Sequence, residues 1–222
     1  MMVATISTSC SDSVVRFEAR DGVLDLRDWD IENQPTVFLR GDWSYRWQTL
    51  LDPQSFDLVE PPTRDGLISV PQFWNELSKG HQPGSELGSS GYMTLSLRVL
   101  LPPGIERHEL ALASRGANSS AELFVSSSRG AQSIVRHGTV ATTMADAVPD
   151  WSIQHGVFHP PADGVMRVVW HVSNFHHHYG GTWRMPTLGL AEVIEIRDER
   201  DKYLLSAMLG VLLMMGLYHL GL

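Results

Sequence analysis

The chain is poor in cysteine and in basic residues. Cys10 is the single cysteine among 222 residues, so no disulfide can form within the chain and a metal cluster built from cysteines is excluded. The 17 Lys and Arg are outnumbered by 25 Asp and Glu, which gives a net charge of −8. Nucleic-acid binding is therefore disfavoured, because phosphate backbones are bound by basic patches.

Helical periodicity is missing before Lys202, where no long window repeats apolar residues at positions i, i+3 and i+4. Apolar and polar residues alternate instead with a period of two, which is typical of strands that have one face in a core. The alternation is clearest in Asp42–Gln48, Tyr92–Val99 and Met166–Ser173. Further candidate strands are Ala121–Val125, Ser133–Val140 and Leu188–Ile196. With frequent Gly and Pro between them, these segments predict an all-β chain folded as a jelly-roll β-sandwich.

Charge is absent from the C-terminal segment Tyr203–Leu222, which contains no Asp, Glu, Lys or Arg. About 20 apolar residues is the length that a helix needs to cross a bilayer. Six consecutive charged residues, Arg197–Lys202, precede this segment, three of each sign. They mark an interface without setting the orientation of the span. We expect one membrane helix from near Asp198 to the end.

These patterns divide the chain into three predicted regions. Residues 1–13 form a disordered N-terminal segment, residues 14–196 form the β-sandwich, and residues 197–222 form the juxtamembrane segment and the first transmembrane helix, in truncated form. Met1–Ser13 has neither the basic start nor the apolar run of a signal peptide. Either the start is misplaced and a signal sequence is missing, or the membrane helix itself directs translocation of the domain. We favour the former.

Seven segments, taken in this order, resemble one bacterial family: LDLRDWD (Leu24–Asp30), LRGDWSYRWQTLLDP (Leu39–Pro53), VPQFWN (Val70–Asn75), GYMTLSLRVLLP (Gly91–Pro102), SAELFV (Ser120–Val125), VSNFHHHYGGTWRMPTLG (Val172–Gly189) and GLYHLGL (Gly216–Leu222). The family is the seven-transmembrane receptors with diverse intracellular signalling modules. The resemblance is to the extracytoplasmic domain and first helix, and it runs from about Val15 to the end. It implies a carbohydrate-binding-like, galactose-binding-like jelly roll, periplasmic or extracellular, anchored in the bacterial inner membrane.

In that family seven helices follow the outer domain, and a cytoplasmic kinase or cyclase comes last. This sequence has one such helix and no output module. The spacing in Val70–Trp74 and the preceding Gly-x-Trp also resemble the sugar-binding-like domain beside the catalytic barrel of some glycoside hydrolases, where the match concerns the fold.

Two functions remain open at this stage. The first is a ligand-sensing domain of a membrane signalling receptor, which binds a carbohydrate or a related small molecule and passes the signal through the membrane helices. The alternative is a non-catalytic structural or protein-interaction module with no small ligand. We expect no enzyme activity in this fragment and no cofactor, because the sequence has no G-x-S-x-G elbow, phosphate loop or H-E-x-x-H motif. Candidate partners are the lipid bilayer through Tyr203–Leu222, a small carbohydrate, and a second copy in a homodimer, but not nucleic acid.

Aromatic residues suggest where a sugar would bind. Trp43, Trp47, Trp74 and Trp183 form either a stacking platform for sugar rings or part of the core, and a stripe at period two favours the core. Trp151 beside Asp150 and Trp183 after two glycines are the tryptophans expected to be exposed. The predicted ligand site therefore consists of Trp151, Asp150, Trp183, Arg184, His177 and His178, on loops at one rim of the sandwich.

Three adjacent histidines, His176–His178, also invite a metal site. Ligands to one ion must converge in space, whereas side chains of consecutive residues in a strand or loop point in different directions. A surface loop is therefore the favoured interpretation, and no metal is predicted.

Overall fold

The structure is a computed structural model, and it describes residues 16–57, 62–77 and 87–221. The predicted N-terminal segment, residues 1–13, and Leu222 lie outside this part of the chain. The described strands are β1 (Val23–Asp25), β2 (Thr36–Phe38), β3 (Gly41–Trp47), β4 (Gly66–Val70), β5 (Gly91–Leu100), β6 (Leu110–Ser114), β7 (Ala117–Asn118), β8 (Ser120–Ser127), β9 (Gly130–His137), β10 (Gln154–Phe158), β11 (Val165–Asn174), β12 (Gly181–Thr182) and β13 (Thr187–Leu190). One α-helix, α1 (Ala191–His219), follows β13 directly.

The strands form two facing sheets. In the larger sheet the order is β4-β3-β5-β11-β8-β9, with the short β1 parallel to one end of β5. In the smaller sheet the order is β10-β6-β13-β2, and β7 pairs with β12 in a separate ribbon. Apolar side chains from both sheets join one buried core, as expected for a sandwich. The predicted all-β sandwich followed by an apolar C-terminal helix is confirmed.

The core is built from the alternating residues of the longest strands. Trp43 of β3 and Trp170 of β11 are fully buried, and their ring centroids lie 6.0 Å apart. Trp74 is also fully buried and meets the partly buried Trp47 edge-on, at 5.2 Å. Three of the four tryptophans considered as a sugar platform therefore belong to the core, and Trp183 is the exception.

Helix α1 begins earlier than the sequence predicts. Leu188–Ile196 was expected to be a strand and the helix was expected near Asp198, but β13 ends at Leu190 and α1 starts at Ala191. Ala191 and Ile194, one helical turn apart, pack on Ala111 and Ala113 of β6. A helix of period 3.6 brings both apolar side chains to the sheet, whereas a strand would point them to opposite faces.

The remainder of α1 leaves the domain. The helix is 29 residues long and is long and apolar enough, by length and composition, to cross a membrane. Its residues from Lys202 to His219 are all exposed, so the described part of the β-domain does not cover the apolar segment.

Replacing Trp43 by Ala should lower the free energy of unfolding by about 3–5 kcal/mol, because the substitution leaves a cavity against Trp170. Urea denaturation of the chain in detergent measures the change. The matched variant Trp151→Ala removes a half-exposed indole and should change stability by less than about 0.5 kcal/mol. Equal losses from the two variants would contradict this assignment of core and surface.

Candidate functional site

Residues Arg115–Ser119, here called the end segment, connect β6 to β8 at one end of the sandwich. Gly181 and the following residue pair with the end segment through the β7–β12 ribbon. Trp183 then lies against Gly116, where a Cβ atom would come within 2.9 Å of the indole Nε1. Gly116 also has a φ of 131°, which glycine tolerates and other residues rarely adopt. This position therefore requires glycine for Trp183 to pack there.

The second predicted loop reaches the same end segment. The backbone N–H of Asp150 donates to the carbonyl oxygen of Ser119 at 3.1 Å. The Asp150 carboxylate accepts hydrogen bonds from the backbone N–H of Ser152 at 2.9 Å and from its hydroxyl at 2.7 Å. These bonds, led by the backbone one, hold the pKa of Asp150 below its usual range. The carboxylate of Asp150 thus fixes its own turn.

Both predicted surface tryptophans are exposed. Trp151 and Trp183 each expose 51% of their surface, as expected from their neighbours in the sequence. Because their loops contact the end segment from two sides, the structure brings the two halves of the predicted site to one end of the sandwich. A ligand role for these residues stays a prediction.

The adjacent histidines His176–His178 help to hold their own loop together. The ring Nδ1 of His177 lies 3.0 Å from the amide Nδ2 of Asn118 and accepts the backbone N–H of Tyr179 at 3.1 Å. The ring of His178 meets Tyr179 edge-on at 4.8 Å, whereas His176 Nε2 points to the carbonyl of another loop. Within the described ranges, no three His, Cys, Asp or Glu side chains are placed to hold a metal ion.

A cavity of about 320 Å³, here called the junction cavity, lies between the end loops and α1. Trp183 and Arg184 line it from the domain, and Arg197 and Asp198 line it from the helix. Its remaining lining residues are Phe38, Ala113, Arg115, Met185, Thr187 and Ile194. The sequence pointed to Trp183 and Arg184 but not to the helix residues, because no local pattern links them.

A polar cluster holds the helix to the domain beside this cavity. Asp198 is only 5% exposed, and its carboxylate lies 2.6 Å from Nδ1 of His155 and 3.6 Å from the guanidinium of Arg115. Arg115 also binds the carboxylate of Asp201 at 2.5 Å. A buried carboxylate needs such compensation, so these contacts fix how α1 sits on the smaller sheet.

Helix α1 leaves the domain at the end that carries the candidate site. Its first residue, Ala191, binds the carbonyl of Glu109 just before β6, and Asp201 binds Arg115 just after β6. The first turns therefore run alongside β6 toward the end segment. Tyr203, where the apolar segment starts, lies about 3 Å further along the helix axis at 1.5 Å per residue. The junction cavity is thus at the end of the domain from which the apolar segment emerges, here called the membrane-facing end because this segment is a candidate membrane span.

A second cavity, of about 260 Å³, lies on the outer face of the larger sheet. The sequence gives no sign of this cavity, because its lining comes from strands and loops far apart in the chain. Two of its arginines are paired, Arg46 with Asp65 at 3.2 Å and Arg64 with Asp21 at 2.8 Å. No residue of α1 is among its described lining residues, so it offers no direct contact with the helix.

One buried histidine adjoins the site. His137, at the end of β9, is fully buried. Burial lowers the pKa of His137, and the nearby Asp150 carboxylate and the Ser152 backbone offset part of this effect. Burial also lowers the pKa of His171, although its ring N–H donates to the Leu51 carbonyl at 2.9 Å. Both imidazoles therefore favour the neutral form in the folded state.

No protein-family model matches the chain, and no curated protein does. Among solved structures, the chain is similar to a β-glucuronidase of an uncultured Clostridium species, with 15% identity and a TM-score of 0.48 over 70% of this chain and 29% of that one. It is similar to a Faecalibacterium prausnitzii β-glucuronidase (14% identity, TM-score 0.49, 69% of this chain, 31% of that chain). A third is a GH2 β-galacturonidase from Eisenbergiella tayi bound to glycerol (13% identity, TM-score 0.44, 70% and 24%). The chain spans less than a third of each, and at these values the similarity assigns no function to its residues.

Replacing Arg115 by Gln should loosen the first turns of α1, because Asp198 then stays buried with less compensation. Hydrogen exchange of residues 191–201 in the detergent-solubilised chain measures this local opening. We expect exchange there to accelerate at least tenfold, while exchange in β5 and β11 is unchanged. Arg129→Gln, a substitution in the β8–β9 turn, is the control, and equal exchange in the two variants would argue against a fixing role for Arg115.

Stability should fall as the pH drops below about 6.5, the ordinary pKa of histidine. Because the folded pKa values of His137 and His171 are lowered, the unfolded chain binds protons first on acidification, and the equilibrium shifts toward unfolding. Above about pH 6.5 the contribution is constant. Urea titrations between about pH 7.5 and 5.5 should show this slope, and His137→Leu should make it shallower. An unchanged slope would mean that His137 titrates equally in both states.

Proposed function

We propose that the chain is the extracytoplasmic ligand-sensing domain and first membrane helix of a bacterial signalling receptor. The observation that carries the proposal is the shared lining of the junction cavity. Trp183 and Arg184 come from the domain loops, and Arg197 and Asp198 come from α1. A ligand in this cavity touches the sensor and the helix at once, so no long relay through the sandwich is needed.

The route from ligand to helix is short. Trp183 packs on Gly116. Arg115, the residue before Gly116, binds Asp198 and Asp201 of α1. A ligand shifts the equilibrium between two conformational states of a receptor only if it binds one of them more tightly. A ligand that repositions Trp183 acts on the same end segment that holds the helix, which gives the two states different contacts at the joint.

The ligand class that we propose is a carbohydrate or a related small molecule. Exposed indoles pack on the apolar faces of sugar rings, and adjacent polar groups bind hydroxyls. Trp183 with Arg184 would form the central part of the site, and Trp151 with Asp150 would flank it across the end segment. His177 and His178 would contribute from the neighbouring loop, through ring atoms that the loop's own hydrogen bonds do not use.

The proposed location is the bacterial inner membrane, with the β-domain on its periplasmic or extracellular side. The exposed apolar helix supports the membrane, and the family resemblance supports the side. The alternative, a structural or interaction module without a small ligand, is favoured by the carboxylate of Asp150 and the ring of His177, which both bind their own loops.

Trp183→Ala should weaken ligand binding at least tenfold, because it removes the exposed aromatic face of the cavity. It should change the free energy of unfolding by less than about 1 kcal/mol, as expected for a surface side chain. Calorimetric titration of the full chain against a carbohydrate panel measures binding, and Leu67→Ala on β4 is the control.

The helix response is measured separately. In a Cys10→Ser background, Ile196→Cys places a thiol on an exposed position of α1, and its labelling rate should change when the ligand binds. Absence of binding across the panel, or a large loss of stability in Trp183→Ala, would favour the structural module instead.

A further inference from the structure

The three arginines of the junction cavity are not equivalent. Arg115 is occupied, since it binds Asp198 and Asp201. No ion pair is found within the described residues for Arg184 or Arg197, although Arg197 interacts with Asp201 at longer range. Both side chains belong to exposed residues. Two arginines therefore line the cavity without a carboxylate paired to them among the described residues.

The local charge is positive although the chain is acidic. Three arginines and the two carboxylates Asp198 and Asp201 leave an excess of one positive charge in and beside the cavity. The whole chain, in contrast, carries a net charge of −8.

Apolar side chains line the cavity together with the arginines. Trp183 and Phe38 are both about half exposed, and Met185 lies between the two cavities that meet here. The second of these, about 640 Å³, shares Phe38, Met185 and Arg197 with the junction cavity. It adds two further arginines, Arg16 and Arg40. The combined groove is therefore lined by both arginines and apolar side chains.

We infer that the junction cavity binds an oxyanion, a carboxylate or a phosphate, between Arg184 and Arg197, with the body that carries the anion against Trp183. The inference rests on the proposed function, because it names the ligand class for the same site. Guanidinium groups present paired N–H donors that match the oxygens of carboxylates and phosphates. The anion belongs either to a soluble acidic sugar or to a phospholipid headgroup, since the cavity lies at the membrane-facing end.

A neutral sugar fits this site less well. A bound ligand displaces water from the two charged guanidinium groups. The hydroxyl groups of a neutral sugar replace the lost hydrogen bonds but supply no opposite charge. An oxyanion supplies both the hydrogen bonds and the opposite charge. The difference between a charged and a neutral partner in such bonds corresponds to roughly a tenfold change in affinity or more.

The soluble source is tested on the full chain in a non-ionic detergent that contains neither phosphate nor carboxylate. Glucuronate and glucose 6-phosphate are titrated by calorimetry against neutral glucose. We expect at least one of the anions to bind tenfold more tightly than glucose, and Arg184→Gln and Arg197→Gln each to weaken that binding about tenfold. Arg200→Gln, an exposed arginine on the same helix outside the cavity lining, should leave it unchanged.

The lipid source is tested in nanodiscs of phosphatidylglycerol or phosphatidylcholine. The fluorescence of Trp183, obtained as the difference between the native chain and Trp183→Phe, should differ between the two lipids if a headgroup occupies the cavity. Arg184→Gln and Arg197→Gln should abolish the difference. Soluble-anion binding, or a lipid response that depends on these arginines, supports the inference. Equal affinity for glucose and both anions together with a lipid response independent of Arg184 and Arg197 overturns it.

The outcomes also separate this inference from the proposed function. Anion binding that leaves the labelling rate of Ile196→Cys unchanged keeps the inference and refutes ligand sensing through the helix. Binding of neutral glucose, as tight as that of the anions and with a changed labelling rate, keeps the sensing function and refutes the oxyanion site.

Discussion

The arrangement of domain and helix depends on one buried carboxylate, Asp198. It belongs to the helix, but it is enclosed by Arg115 of the end segment and His155 of β10. A buried charge is tolerated only with such partners, and removing one of them is more costly than never having buried the charge. The helix therefore cannot slide or rotate on the sheet without exposing Asp198 or separating it from its partners. These contacts therefore define one position of the helix on the sheet.

The sandwich was largely predictable because apolar residues recur at every second position in its core strands. Trp43 and Trp170 occupy apolar positions of such strands, and both are buried. The start of α1 was not predictable in this way. Leu188–Ile196 is a short, mostly apolar segment that fits both the period of two of a strand and the period of 3.6 of a helix. The choice is made by Ala111 and Ala113, whose small side chains let Ala191 and Ile194 approach β6 as a helix, and this is tertiary information.

The candidate site was predictable only in part. Exposure of Trp151 and Trp183 followed from a neighbouring Asp and from two preceding glycines, which mark loops. The contact between the end segment and α1 could not be predicted from the sequence. Arg115 and Asp201 are 86 residues apart in sequence, and a lone arginine gives no sign of its partner. Nothing in the sequence indicated that the ring Nδ1 of His177 binds within its own loop region, and a ligand role for this residue stays a prediction.

The position of the site at the membrane-facing end limits how it can be filled. The headgroup layer is roughly 5–7 Å thick on each side of the hydrocarbon core, and Arg115 binds a residue about 3 Å from the start of the apolar segment. In the receptor that we propose, the junction cavity borders the headgroup layer, where Trp is enriched and Arg is also favoured. A soluble ligand of that receptor would enter along the bilayer surface and compete with lipid headgroups for the cavity. Its apparent affinity would fall with the fraction of cavities that remain available, so the lipid composition would set the threshold of the proposed sensor.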